Sequence, residues 1–106
     1  MKTAAQIKRP VDPQRIRPMP RQFAPLDRRL VYQQHLGRMR PEQVILYTFL
    51  ACVSDAQGLS FYSEGRICQE LSMSLNGLWK ARDGLIDRGL LLYRRPIYQL
   101  LEVPRS

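Results

Sequence analysis

The chain has 106 residues, of which 44% are hydrophobic and 25% charged, a size and composition that suit one small globular domain. It has no apolar run of the roughly 18 residues that span a membrane and no signal-peptide core near its start, so we expect a cytoplasmic protein without a membrane partner. The net charge is +8, and residues 1–40 carry all of this excess. A basic segment on a neutral body predicts a polyanionic partner, and nucleic acid is the first choice.

Residues 1–25 hold five of the eight prolines and are predicted to form a flexible, basic arm. Proline removes backbone donors and favours extended geometry, which argues against a helix here. Five arginines in and just after this segment are candidates for tracking a DNA backbone: Arg15, Arg17, Arg21, Arg28 and Arg29.

The next segment predicts two helices. Asp27 is placed to cap a short helix that Gly37 closes. Pro41 is typical of the first position of a second helix, in which only Thr48 is polar between residues 44 and 53. A helix that is apolar on all sides must be covered on more than one face. We expect the helix over 27–37, or a second subunit, to supply the additional cover.

The remaining residues predict a short strand, two capped helices and a hairpin. Residues 59–62 form the strand, Ser63 caps a helix with its apolar side at residues 67, 68 and 71, and Ser74 caps a further helix that runs to about residue 88. Two β-type runs, 90–94 and 97–103, are joined around Arg95-Pro96.

Two stretches resemble the winged helix-turn-helix family: Ile67-Cys68-Gln69-Glu70-Leu71-Ser72-Met73-Ser74, and the run from Ala81 through Gly84-Leu85 to Gly89-Leu90-Leu91. The part from Leu46 to Gly58 looks like the variants found in bacterial and phage replication initiators and in accessory proteins of mobile elements. The resemblance implies a mostly α-helical α+β fold with a hairpin wing. The winged-helix domain, with an extra N-terminal helix, would occupy residues 26–103, and residues 104–106 would form a tail.

The resemblance also implies that the helix after Ser74 enters the major groove of double-stranded DNA, while the wing touches backbone or minor groove. Helical periodicity places Asn76, Lys80, Asp83 and Asp87 outward. Asn76 suits an adenine edge and Lys80 suits guanine or phosphate, but this face sums to a charge of −1.

Three further residues of this predicted interface have two interpretations each. Trp79 is either packed against a neighbouring element or stacked on DNA. Arg94 and Arg95, beside the hairpin turn, either contact phosphate or form a charged tip that deters edge-to-edge pairing of sheets.

No pattern in the sequence indicates an enzyme, a metal site or a cofactor. His35 has no partner that suggests catalysis and is interpreted as an ordinary surface residue, and Cys52 and Cys68 are interpreted as small buried hydrophobes. We therefore predict a DNA-binding accessory protein of replication, recombination or transposition, or transcription control. The alternative is a winged-helix adaptor that binds a protein partner through the helix after Ser74 and an apolar shoulder of Leu75, Trp79 and Ile86. A homodimer is compatible with both.

Overall fold

A computed structural model describes residues 8–104, and within them the chain is a mixed α+β structure. A single 3-10 turn lies in the arm at Pro13–Arg15. The helices are α1 (Arg29–Tyr32), α2 (His35–Arg38), α3 (Pro41–Val53), α4 (Glu64–Leu71) and α5 (Leu75–Asp87), and the strands are β1 (Leu59–Phe61), β2 (Leu91–Arg94) and β3 (Ile97–Leu100). The α+β class predicted from the sequence is confirmed, and the winged-helix assignment stays a prediction.

One core holds the body together. Helix α3 packs against α5, α4 and β3, which covers the apolar helix by elements of its own chain. The side chains that are completely shielded from solvent come from every layer: Leu46, Leu50, Ile67, Leu78, Leu85, Leu90, Leu91 and Tyr98. Close packing of this kind fixes how α5 is presented to solvent, because its inward face cannot rotate without opening cavities.

The helix boundaries follow from capping at most positions. The hydroxyl of Ser63 accepts a hydrogen bond from the Arg66 amide at 3.1 Å, and that of Ser74 accepts one from the Gly77 amide at 2.9 Å. Both caps satisfy backbone donors that have no partner inside the helix, as the sequence predicts. Gly89, with φ +75°, ends the segment after α5 in the left-handed conformation.

The single helix predicted over 27–37 is wrong. Two four-residue helices, α1 and α2, take its place, because Gln34 adopts a left-handed conformation with φ 64° and interrupts the backbone ladder. Asp27 does accept a hydrogen bond from the Arg29 amide at 2.8 Å, whereas Gly37 lies inside α2 and does not terminate it. Leu30 and Met39 still anchor this region in the core.

The three strands form one antiparallel sheet in the order β1-β3-β2. The register places Phe61, Ile97 and Arg94 in one row, and Leu59, Gln99 and Leu92 in the next. Side chains alternate between the two faces, so these two rows lie on the outer face and Tyr98 points into the core. The hairpin turn at Arg95-Pro96 lies at one end of the sheet, and Gly58 and Leu100 lie at the other.

Two smaller expectations need correction. Cys52 is exposed on α3, because it follows the buried Ala51 around the helix onto the solvent side, while Cys68 is partly buried. His35 is half-buried within α2 and not a fully exposed surface residue. No helix within residues 8–104 combines the length and apolarity needed to cross a bilayer.

Residues 8–22 extend away from the body, and residues 23–26 lie along it. Every side chain from residue 8 to residue 23 is exposed, and the described chain measures 52 × 32 × 26 Å along its principal axes. Pro13 begins the 3-10 turn, which Asp12 caps by accepting a hydrogen bond from the Gln14 amide at 3.0 Å. The extended course is expected of a segment with so many prolines.

Candidate nucleic-acid interface

The outward face of α5 contains the residues expected there. Asn76, Lys80, Asp83 and Asp87 are all exposed, while Leu78, Ala81 and Leu85 are buried beneath them. The predicted orientation of α5 is therefore confirmed. Its two acidic residues form no ion pair with another described residue, so the net negative charge of this face is not neutralised locally.

A groove beside α5 adds a basic residue that the sequence interpretation missed. The start of α3 and the N-terminal half of α5 enclose a volume of about 630 Å³, whose polar and charged rim includes Arg40, Glu42, Asn76 and Lys80. Arg40 is exposed at the position before α3. Two cations, Arg40 and Lys80, therefore line the same groove as the amide of Asn76 and the carboxylate of Glu42. Because α3 and α5 are distant in sequence, only their packing reveals that Arg40 and Lys80 share a groove.

Trp79 is held against α4 but remains partly open to solvent. Its indole Nε1 donates a hydrogen bond to Oε2 of Glu64 at 2.8 Å, and 42% of the residue is exposed. The hydrogen bond orients the ring, and the exposed part is available for a further contact. The hydrogen bond to Glu64 supports the interpretation that Trp79 packs against a neighbouring element. Stacking of the exposed part of the ring on DNA stays a prediction.

Arg82 joins α4, α5 and the hairpin, and sequence reasoning missed it. Its Nη1 donates to Oε2 of Glu64 at 2.9 Å and to the hydroxyl of Tyr98 at 3.2 Å. Its guanidinium carbon lies 4.2 Å from the centroid of the Tyr93 ring, a cation–π geometry. Tyr93 in turn packs on Tyr98, with ring centroids 4.4 Å apart. This cluster fixes the angle between α5 and the hairpin.

The electrostatics of the cluster centre on Glu64. Hydrogen bonds from Arg82 and then from Trp79 hold the pKa of the Glu64 carboxyl below its usual value, and the nearby charge of Arg95 adds to this effect. Burial alone would lower the pKa of Arg82, but the bonds to Glu64 and Tyr98 outweigh burial and raise it. Glu64 and Arg82 therefore remain an ion pair throughout the physiological pH range.

The two arginines at the hairpin tip are both exposed and line one shallow cavity together with Leu92, Ile97 and Gln99 of the sheet. Arg94 is exposed on the outer face of the sheet, in the row with Ile97 and Phe61. Arg95 is exposed in the turn and also lies within Coulomb range of Glu64 on α4.

The structure does not gather the predicted arm residues at the α5 surface. Arg15, Arg17, Arg21 and Arg28 are exposed. Arg29 is paired with Asp27 through Nη2 and Oδ2 at 2.6 Å and through its Nε, an interaction that raises the pKa of Arg29 and lowers that of Asp27. The arm joins the body near Leu100, at the end of the sheet opposite the hairpin tip.

Within the described residues, no group of His, Cys, Asp or Glu side chains has the arrangement of a metal site. The region around α5 offers hydrogen-bond donors, cations and a partly open indole. It can hold a polyanion or a polar surface by charge and hydrogen bonding, with Asp83 and Asp87, which form no ion pair with a described residue, limiting how much negative charge comes close.

Comparison with known proteins identifies a fold but no family. No protein-family model matches the sequence, and no curated protein matches it. A solved structure described as "Structure of Rep-DNA complex" is similar to this chain, with a TM-score of 0.56 and 20% sequence identity. The alignment covers 81% of this chain and 78% of that one. The similarity shows that the two chains share a fold.

Proposed function

We propose that this protein is a winged-helix DNA-binding factor with an accessory role in replication, recombination or transposition, or transcription control. The element order from α3 to β3 supports the proposal, since α4 and α5 would be the helix pair and the β2–β3 hairpin would be the wing. The fold shared with a Rep chain solved as a DNA complex supports this proposal.

The observation that carries the proposal is the distribution of exposed cations and donors. Asn76 and Lys80 on α5 line one groove with Arg40, and Arg95 at the hairpin tip lies within Coulomb range of Glu64, whose carboxylate binds Trp79 of α5. We expect one duplex to reach all four residues. Asn76 is suited to adenine and Lys80 to guanine or phosphate. The negative charges of Asp83 and Asp87 weaken the affinity of α5 itself, so the arm must supply much of the electrostatic attraction.

Salt-dependent binding to a labelled duplex, followed by fluorescence anisotropy, tests the proposal. Each cation that contacts a phosphate contributes a slope of about −0.9 to log K against log salt concentration. Replacing Arg15, Arg17 and Arg21 by Gln should therefore reduce the magnitude of the slope by about 3 if all three contact phosphates. Arg95→Gln should reduce it by about 1 on the same basis.

Arg66→Gln is the matched control for Arg95→Gln. Arg66 is exposed, pairs with Glu70 on α4 at 2.8 Å and lies outside the proposed interface. Its replacement removes the same charge but should leave the slope unchanged. A folded protein that does not bind duplex DNA near physiological salt would refute the proposal.

A protein adaptor is the second candidate, and the outer face of the sheet favours it. Phe61, Leu92 and Ile97 are exposed there on adjacent rows, and Arg94 lies at their edge. Contiguous exposed apolar side chains are typical of protein interfaces. The matching partner would present an apolar strip with acidic flanks. Absence of DNA binding in the titration above would make this the better explanation.

A further inference from the structure

A groove of about 620 Å³ lies where the arm joins the body, at the end of the sheet opposite the hairpin tip. Phe23 of the arm and Leu26, just after the arm, line one side of the groove, and Tyr47 and Ala51 of α3 line another. Every charged residue that lines the groove is acidic: Asp27, Asp55 and Glu102. An acidic, partly apolar groove is unusual on a chain with a net charge of +8.

The three carboxylates differ in the ion pairs and hydrogen bonds that they already form within the chain. Asp27 is neutralised by its pairing with Arg29. Oδ1 of Asp55 accepts hydrogen bonds from the amides of Gln57 and Leu59 at 2.8 and 2.9 Å, which leaves its negative charge in place. Glu102 is exposed and forms no ion pair within residues 8–104. Glu102 does lie within Coulomb range of Arg29. With Arg29 counted beside Asp27, Asp55 and Glu102, the groove keeps a net charge of −2.

The arm has the complementary character. Residues 8–22 contain five Lys or Arg and one Asp, a net charge of +4. Between the arginines at 15, 17 and 21 lie Ile16 and Met19, which are 61% and 75% exposed. Phosphate binding accounts for the arginines but not for exposed apolar side chains in the same short segment. Apolar side chains flanked by cations fit an apolar groove flanked by carboxylates.

We infer that this groove binds residues 15–21 of the arm of a second copy of the chain. The chain's own arm already leaves along the groove through Phe23 and Leu26, and a return would need a tight reversal within residues 18–22. Pro18 and Pro20 favour extended backbone there and oppose such a reversal. Reciprocal exchange of two arms is self-complementary and closes a twofold dimer. This inference goes beyond the proposed function and does not depend on it. DNA phosphates and the groove would compete for Arg15, Arg17 and Arg21, so the dimer is a state of the protein without DNA.

The test is sedimentation equilibrium of the full chain without DNA, over a range of protein and salt concentrations. We expect a monomer–dimer equilibrium that salt weakens, because opposite charges hold the arm in the groove. Met19→Glu places a carboxylate in an acidic apolar groove and should weaken the dimer about tenfold or more. Val11→Glu makes the same charge change in the arm outside residues 15–21 and should have a much smaller effect.

A charge swap tests the groove side. Glu102→Lys should weaken the dimer by roughly threefold to tenfold, since a favourable exposed pair becomes a repulsive one. Adding Arg17→Glu to Glu102→Lys should restore part of the loss. Asp87→Lys, which makes the same charge change on α5 away from the groove, is the control.

Two results would overturn the inference. One is a monomer at the highest soluble concentration in low salt. The other is a dimer that neither Met19→Glu nor Glu102→Lys weakens relative to the two controls. The duplex titration with Arg95→Gln concerns the opposite end of the molecule and needs no dimer. Failure of the inference and failure of the proposed DNA binding are therefore separate results.

Discussion

Replacing Gly84 by alanine should destabilise the protein, although the same change normally stabilises a helix. Gly84 lies in α5 directly against the side chain of Gln43 on α3. A Cβ atom at position 84 would lie 2.0 Å from Nε2 and 2.8 Å from Cδ of Gln43. Gln43 is buried, so its amide cannot simply swing into solvent.

If the Gln43 amide moves aside to make room for the Cβ atom of alanine, two hydrogen bonds break. Oε1 of Gln43 accepts from the Arg40 amide at 3.3 Å, closing the capping box of α3, and from Nε of Arg88 at 3.0 Å. Each bond contributes about 1 kcal/mol, and more where a buried group is left unsatisfied. Alanine is about 1 kcal/mol more favourable than glycine inside a helix, which offsets part of this loss in the free energy of unfolding. The net expectation is a loss of about 1–2 kcal/mol in the free energy of unfolding.

Urea denaturation followed by far-UV circular dichroism measures this difference, with Gly65→Ala as the control. Gly65 is also helical, in α4, but an added Cβ there meets no atom within 4 Å, so its replacement should stabilise the protein by up to about 1 kcal/mol. In a Gln43→Ala background, Gly84→Ala should become stabilising as well. Equal stabilisation by Gly84→Ala and Gly65→Ala in the otherwise unchanged protein would refute the steric reasoning.

Two further predictions concern pH. The pKa of Glu64 is lowered in the folded state, so its stabilising contribution is present above pH 4.5 and is lost as the pH falls through the folded pKa. Glu64→Gln should therefore reduce the decline in melting temperature at acid pH. A decline that does not change would contradict this role of Glu64. Burial, with a smaller effect of Asp27, raises the pKa of Tyr47 above 10.0, so its contribution is present below that pH and is lost as the pH rises through the folded pKa. Tyr47→Phe should therefore extend stability to higher pH, measured by alkaline denaturation; an alkaline transition that does not move would exclude Tyr47 as its cause.

The elements that local chemistry determines could be predicted from the sequence. Ser63 and Ser74 are caps because their hydroxyls satisfy helix amides, and such a bond depends only on neighbours in the chain. The break at Gln34 could not be predicted in this way. Gln34 is neither glycine nor asparagine, and its left-handed conformation is not what its residue type favours.

The candidate site was less accessible to sequence reasoning than the fold. Periodicity correctly placed Asn76 and Lys80 on the exposed face of α5, since exposure follows from helix geometry once the core face is known. Trp79 and Arg82 are three residues apart, so periodicity places them on the same side of α5. Periodicity does not reveal that the partners of Arg82 lie on α4 and β3. Likewise, the close neighbour of Gly84 is the side chain of Gln43 on α3, which is distant in the sequence. Long-range partners of this kind follow only from tertiary packing.

The separation of the arm from the hairpin tip is compatible with both using one duplex. The arm leaves the body at the end of the sheet opposite Arg95, yet residues 8–22, fully extended, would span about 50 Å. That length is close to the longest axis of the described chain, 52 Å. The arm can therefore follow the DNA backbone past the body while α5 and the hairpin stay in place. In the proposed complex, attraction and readout would reside in different segments, which would reconcile the negative net charge of the α5 face with the proposed DNA binding.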